Sequence, residues 1–227
     1  MQMKLVSLNI GMPREVTWRG MAVTTGIFKQ PVEGRVALRT LNLDGDRQAD
    51  LTVHGGEEKA VYCYPLEHYE YWKQELPGRE LPMGMFGENF TLDFPVRNDS
   101  PENSVHIGDR FVVGSAEVVV TQPRLPCYKL GVRFQMDDVV KRFHVSGRTG
   151  FYLAVTHEGE VGAGDEMELI GQDPSAVPVS EITRLFSMKA YSIDDVRSVE
   201  RALQVEALPE SWKQYLRERL ARETVGR

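Results

Sequence analysis

At 227 residues the chain can hold one substantial domain and a small appendage, and 41% hydrophobic with 26% charged residues is an ordinary globular composition. A net charge of −6 excludes a general nucleic-acid binder, which needs a basic surface, while leaving room for local basic pockets. No apolar run reaches membrane-spanning length, Met1-Gln2-Met3-Lys4 lacks a signal peptide's long apolar region, and two cysteines are too few for a disulfide framework, so a reducing, cytoplasmic setting is expected.

Residues 1–172 read as mainly β. Val6, Leu8 and Ile10 alternate with Ser7 and Asn9, the period of a half-buried strand. Pro65 then suits a first helical position, with Leu66, Tyr69, Trp72 and Leu76 on one face; this stripe reads as core, and this helix is the one expected to interrupt the strands. Cys63 reads as core in the apolar run Val61-Tyr62-Cys63-Tyr64. Phe111-Val112-Val113 and Val118-Val119-Val120 flank Gly114-Ser115, which suits a tight hairpin. Phe151 to Val155 and Met167 to Ile170 are further strands. Many short strands between Gly, Pro and Asp clusters point to a barrel or a sandwich.

Residues 173–227 change pattern. Ser180 can cap a helix carrying Ile182, Leu185 and Phe186, and Ser192-Ile193-Asp194-Asp195 has the form of a capping box before Val196, Val199 and Leu203. Pro209 opens a third helix with Trp212, Tyr215, Leu216 and Leu220 along one face. Three short amphipathic helices make a small bundle.

The chain lacks a Walker loop, a G-x-G-x-x-G fingerprint, an H-E-x-x-H pair, zinc-finger spacing and a G-x-S-x-G elbow. Four loops remain where chemistry fits. Asp44-Gly45-Asp46-Arg47-Gln48-Ala49-Asp50 leads to Val53-His54-Gly55-Gly56-Glu57-Glu58-Lys59, where paired glycines let backbone amides approach an anion beside His54 and Lys59; an ordinary surface turn fits equally well. Gly84-Met85-Phe86-Gly87-Glu88-Asn89 offers an amide to a polar ring, or is a plain turn feeding a strand. In Gln122-Pro123-Arg124-Leu125-Pro126-Cys127-Tyr128-Lys129, two prolines stiffen a loop and two cations flank the thiol, a setting that favours the thiolate, which is both nucleophile and soft metal ligand. The alternative is a small buried hydrophobe. His144-Val145-Ser146-Gly147-Arg148-Thr149-Gly150 could hold an oxyanion or simply carry a surface arginine.

Taken together, Asp50-Leu51-Thr52-Val53-His54-Gly55-Gly56, Phe86-Gly87-Glu88-Asn89, the Gln122–Leu130 run and Gly147-Arg148-Thr149-Gly150-Phe151 closely resemble the MOSC family, the molybdenum-cofactor sulfurase C-terminal domain proteins. The resemblance is to the stand-alone bacterial subgroup with a three-helix tail, and the cysteine run is its most specific part. It implies a β-barrel-like core with a few helices over 1–172, a small three-helix unit over 173–227 and a pterin-bound molybdenum cofactor ligated by Cys127. It also implies a reductase converting N-hydroxylated compounds, such as hydroxylaminopurines, to amines, with the oxygen leaving as water. On that footing Gly55, Gly56, Lys59, Gly87, Glu88, Asn89, Gln122, Arg124, Lys129, Arg148 and Thr149 are expected around the cofactor, the cations meeting its phosphate, and His54 would orient substrate or donate a proton. There is no iron–sulfur or nucleotide module, so electrons would come from a separate flavin-containing reductase. The tail is expected to cap the barrel or form a homodimer interface, with docking of that reductase as the alternative. A sulfur carrier bearing a persulfide on Cys127 is the alternative function.

Overall fold

Alternation along Gln2–Ile10 produces the first strand, with Met3, Leu5 and Leu8 buried. The computed structural model describes residues 2–50, 55–95 and 100–225. In chain order these form β1 (Gln2–Ile10), β2 (Arg14–Trp18), β3 (Met21–Thr25), β4 (Gln30–Pro31), β5 (Arg35–Leu38), a 3-10 turn (Glu57–Lys59), β6 (Val61–Pro65), α1 (Leu66–Glu75) and β7 (Phe90–Asp93). Then follow α2 (Pro101–Ser104), β8 (Arg110–Val113), β9 (Ala116–Pro123), α3 (Tyr128–Phe134), α4 (Val139–Ser146), β10 (Phe151–His157), β11 (Gly159–Gly162) and β12 (Glu166–Gly171). The tail is α5 (Val179–Ser187), α6 (Ile193–Gln204) and α7 (Glu210–Val225).

Seven strands close a barrel in the order β12-β8-β9-β10-β6-β7-β1, with β1 pairing back onto β12 and β4 extending the far end of β1. Only β6 and β7 pair in parallel within it. Closure removes free edges. Of the two architectures open to the sequence, the barrel is the one that forms. The hairpin at Gly114-Ser115 joins β8 and β9, and the pairs β2–β3 and β5–β11 lie outside the barrel.

Both faces of β6 are buried, which is why its residues read as one apolar run. Val61 and Cys63 join the barrel interior with Phe90, Val118, Val120 and Phe151. Tyr62 and Tyr64 face outward into an aromatic layer under α1, α3 and α4, built from Tyr69, Trp72, Phe86, Phe134 and Phe143. Tyr64 stacks on Phe86 at 4.4 Å, and Trp72 donates its indole N–H to the Tyr64 hydroxyl at 2.8 Å.

One expectation needs correction. Four helices, not one, interrupt the strands of the described residues. α3 and α4 are two short turns separated by Gln135, left-handed at φ 49, so neither is long enough to register as a periodic face.

The tail packs onto the barrel rather than apart from it: Ile182, Leu185, Val199, Trp212 and Leu216 share one apolar core with the strands. Ser192 and Asp195 form the anticipated capping box. Ser180 does not cap α5 but is its second residue, because the helix starts at Val179 behind Pro178 with no side-chain cap. No helix among the described residues is long and apolar enough to cross a membrane.

Candidate functional site

A β-bulge prepares the cleft. Tyr152 pairs with Gln122 but Leu153 pairs with Val120, so Thr121 is the extra residue of β9. Its hydroxyl lies 2.7 Å from the Glu58 carbonyl and 3.2 Å from that of Tyr152, which seats the 3-10 turn against β10. β9 then runs out through Pro123 into the segment that ends at Cys127, the N-cap of α3. The cysteine is half-buried and lines a cleft enclosing about 630 Å³ with its mouth included.

The walls come from far apart in sequence: Gly26, Ile27 and Lys29 after β3, Arg47 to Ala49, Lys59 from the 3-10 turn, Tyr62 and Tyr152 from adjacent strands, and Arg124 and Lys129 from the cysteine segment. Lys29, Arg47, Lys59, Arg124 and Lys129 therefore share the cleft with the thiol. Arg124 is buried; its guanidinium donates to the Phe86 carbonyl at 2.5 Å and lies 4.5 Å above the Tyr62 ring. Burial alone would weaken its charge, but Tyr62, Tyr152 and Cys127, whose ionised forms would need that charge beside them, outweigh it and raise its pKa. Burial pushes both phenols up, so Tyr62 and Tyr152 stay protonated.

Below this layer sits a buried network. Lys29 meets Asp46, and Asp46 also accepts from the Gly11 amide at 2.8 Å and from Asn89 at 2.9 Å. Burial pulls the Lys29 ammonium down and Asp46 opposes it.

The structure brings together six of the residues expected from sequence: Cys127, Arg124, Lys129, Lys59, Gly87 and Asn89. It gives the others, and Asn89 as well, different work. Asn89 reaches the cleft wall, but its amide donates to Asn9 O and Asp46 and accepts from the Tyr62 amide, so its side-chain donors are already engaged. Glu88 turns into its own loop, where it accepts from the Gly84 and Phe86 amides, Thr91 and the Tyr69 hydroxyl. Burial raises its pKa. Gln122 points to the Glu58 carbonyl and to Trp212. Arg148 lies 3.9 Å over the Tyr71 ring, on the α1–α4 side, and the Thr149 hydroxyl bonds its neighbour's carbonyl. Gly56 is the exposed N-cap of the 3-10 turn and Gly55 precedes it; neither lines the cleft. His54 lies outside the described residues.

Sequence reasoning did not single out Lys29, Tyr62 or Tyr152. Nothing local marks Lys29, because its partner is seventeen residues away, and the tyrosines read as core because one face of each strand is core.

Among the described residues no three His, Cys, Asp or Glu side chains converge as a metal site. A metal at Cys127 that brings its other ligands with it, as a chelate does, fits this donor set. One thiol amid cations and protonated phenols suits an anionic chelate of a soft or borderline metal and does not suit a bare ion.

Residues 50–168 match the MOSC domain model and residues 177–223 the YiiM-like, 3-alpha helix domain model. The chain is 38% identical over 209 residues to the uncharacterized protein YflK of Bacillus subtilis (strain 168), covering 92% of this chain and 90% of that one. The crystal structure of YiiM from Geobacillus stearothermophilus superposes with a TM-score of 0.76 at 32% identity, over 96% of this chain and 99% of that one. A protein named "Reductase" from Gibberella moniliformis is 32% identical over 178 residues, 77% of this chain but only 31% of its own length.

Proposed function

This chain belongs to the MOSC domain family, with a YiiM-like 3-alpha tail, and from that premise we propose that it is a molybdenum-cofactor-dependent reductase of N-hydroxylated compounds. The observation that carries the reading is Cys127, half-buried in a cleft rimmed by Arg47, Lys59, Arg124 and Lys129 and unaccompanied by further protein metal ligands among the described residues. The fungal relative's name agrees with a reductive role, though that protein is much longer.

Cys127 would be the protein's ligand to the metal, and Lys59, Lys129 and Arg47 would meet the cofactor's phosphate. When bound, that group supplies the two-electron cleavage of the N–O bond; a separate flavin-containing reductase would replenish the electrons. The chain's own residues do the rest. Arg124 brings a buried positive charge and Tyr152 a protonated phenol to the cleft that Cys127 lines, while the Tyr62 hydroxyl is spent on the Thr149 carbonyl at 2.8 Å. Reduction of R–NHOH to R–NH2 and water consumes two electrons and two protons, which the protonated groups lining the cleft, Lys29 among them, would relay.

The test is the molybdenum and pterin content of the wild type and Cys127→Ser, both purified without air from a host that makes the cofactor. Near-equimolar metal and pterin in the wild type, with metal lost in the variant, is the expected result. Empty wild-type protein carrying a mass gain of one sulfur on Cys127 would replace the reductase with a persulfide carrier.

A further inference from the structure

The C-terminal helices reach the cleft through one buried polar contact. Trp212, in the first turn of α7, donates its indole N–H to the Gln122 side-chain oxygen at 2.5 Å, across ninety positions of sequence. Both side chains are buried, and the Trp212 ring is held by Phe186 at 5.4 Å. Gln122 turns its other end, the amide N–H, toward the Glu58 carbonyl at 3.4 Å, the same carbonyl that Thr121 reaches. Glu58 is the middle residue of the 3-10 turn, and the next residue, Lys59, lines the cleft. Two residues beyond Gln122 stands Arg124, and five beyond stands Cys127.

A side-chain amide has two ends of opposite character, and what fixes which end points where is its partners. Here the Trp212 N–H claims the oxygen, which leaves only the N–H end for Glu58. An apolar pair of the same shape would pack into this core without the desolvation that a buried polar pair costs. The polar pair adds direction: it keys the tail to the turn that carries Lys59.

We propose that Trp212 is a positioning residue, which orients Gln122 and through it the Glu58–Lys59 turn, so that the three-helix tail governs how firmly the cleft retains its anionic cofactor. The coupling itself stands on the geometry alone; the consequence for the cofactor rests on the function proposed above.

The experiment uses the full chain as Trp212→Phe, Gln122→Met and the double variant. Phenylalanine keeps the ring and removes the N–H; methionine keeps the length and removes both ends of the amide. In cofactor-free protein, amide hydrogen exchange over residues 55–62 should accelerate roughly fivefold in either single variant, the loss expected for one hydrogen bond, and no further in the double. In anaerobically loaded protein, Trp212→Phe should lose molybdenum faster on desalting while turnover per retained molybdenum stays the same. Unchanged exchange at 55–62 in both folded variants, or acceleration spread evenly over the barrel, would overturn the coupling. Reduced turnover per molybdenum with unchanged retention would overturn the positioning role. Wild-type protein that never holds molybdenum, alongside the local exchange response, would remove the proposed function and leave the coupling standing.

Discussion

The Lys29 ammonium lies 2.5 Å from both carboxylate oxygens of Asp46, with both side chains nearly closed off from water. The pair ties the segment after β3 to the loop at 46, and Asp46 extends the tie to Gly11 and Asn89. A buried pair of this kind adds little net stability over an apolar substitute, but removing one partner strands the other. Lys29→Met and Asp46→Asn should therefore each cost about 3–5 kcal/mol. The double variant should cost less than their sum by more than about 1 kcal/mol, because the penalty of the stranded charge is counted twice in the singles. Urea unfolding at fixed pH measures all three, and strict additivity would contradict the assignment.

A second buried acid sets the chain's response to low pH. Burial pushes the Glu102 carboxyl up, but the charge and hydrogen bond of His68 at 2.7 Å, the Ser100 hydroxyl at 2.6 Å and the Gly150 amide at 3.0 Å outweigh it and hold the group below the ordinary value of 4.5. A carboxyl with a depressed folded pKa adds stability above its unfolded pKa and loses it as pH falls through the folded one. Glu102→Gln should thus be less stable than wild type at pH 7. The gap should narrow below about pH 4.5. Urea midpoints between pH 3 and 7 report it; a gap that stays constant would place the acid sensitivity elsewhere.

How far the sequence reveals this molecule depends on the range of each interaction. The capping box at Ser192 and Asp195, the hairpin at Gly114-Ser115 and the aromatic stripe of α1 are legible because their signals lie within a few residues. The cysteine segment is legible because two prolines and two cations crowd one thiol. Lys29 with Asp46 and Trp212 with Gln122 are not, because each partner is an ordinary residue in its own neighbourhood and only barrel closure joins them. Glu88 and Asn89 stand in a loop beside the cleft, but their polar groups are already engaged within the protein. Their polarity serves loop amides and strand ends beneath the cleft, a demand of buried backbone that looks in sequence like a demand for ligand.

Gly150 fixes the start of β10 beside that network. Its φ is +64, and a Cβ there would stand 2.3 Å from the Cys63 carbonyl and 3.1 Å from the Tyr62 ring. Its own carbonyl accepts the Arg124 amide at 3.4 Å. Gly150→Ala combines a left-handed backbone, which costs an alanine about 1–2 kcal/mol, with a backbone clash that cannot relax by a side-chain rotation. The expected loss exceeds that figure, and it should be accompanied by a changed near-ultraviolet spectrum as Tyr62 shifts. A neutral substitution would mean that the strand end moves freely.

The cations of the cleft divide into two kinds, and substitution should separate them. Arg124 is buried, hydrogen-bonded to the Phe86 carbonyl and sandwiched by the Tyr62 and Phe143 rings at 4.5 and 5.4 Å. Lysine has neither the planar face for those rings nor the fork for that carbonyl, so Arg124→Lys keeps the charge and loses the packing. It should cost about 1–3 kcal/mol in urea unfolding, the penalty of a buried acceptor left without its donor. Lys129 is only half-buried, and Lys129→Gln should leave stability within about 0.5 kcal/mol. The same variant should hold less molybdenum per chain after loading, with a deficit that shrinks as salt rises, because its contribution to an anionic ligand is a screened charge. If Lys129→Gln instead retained full cofactor at low salt while Arg124→Lys unfolded as in wild type, the division between a structural cation and a ligand-facing one would be wrong.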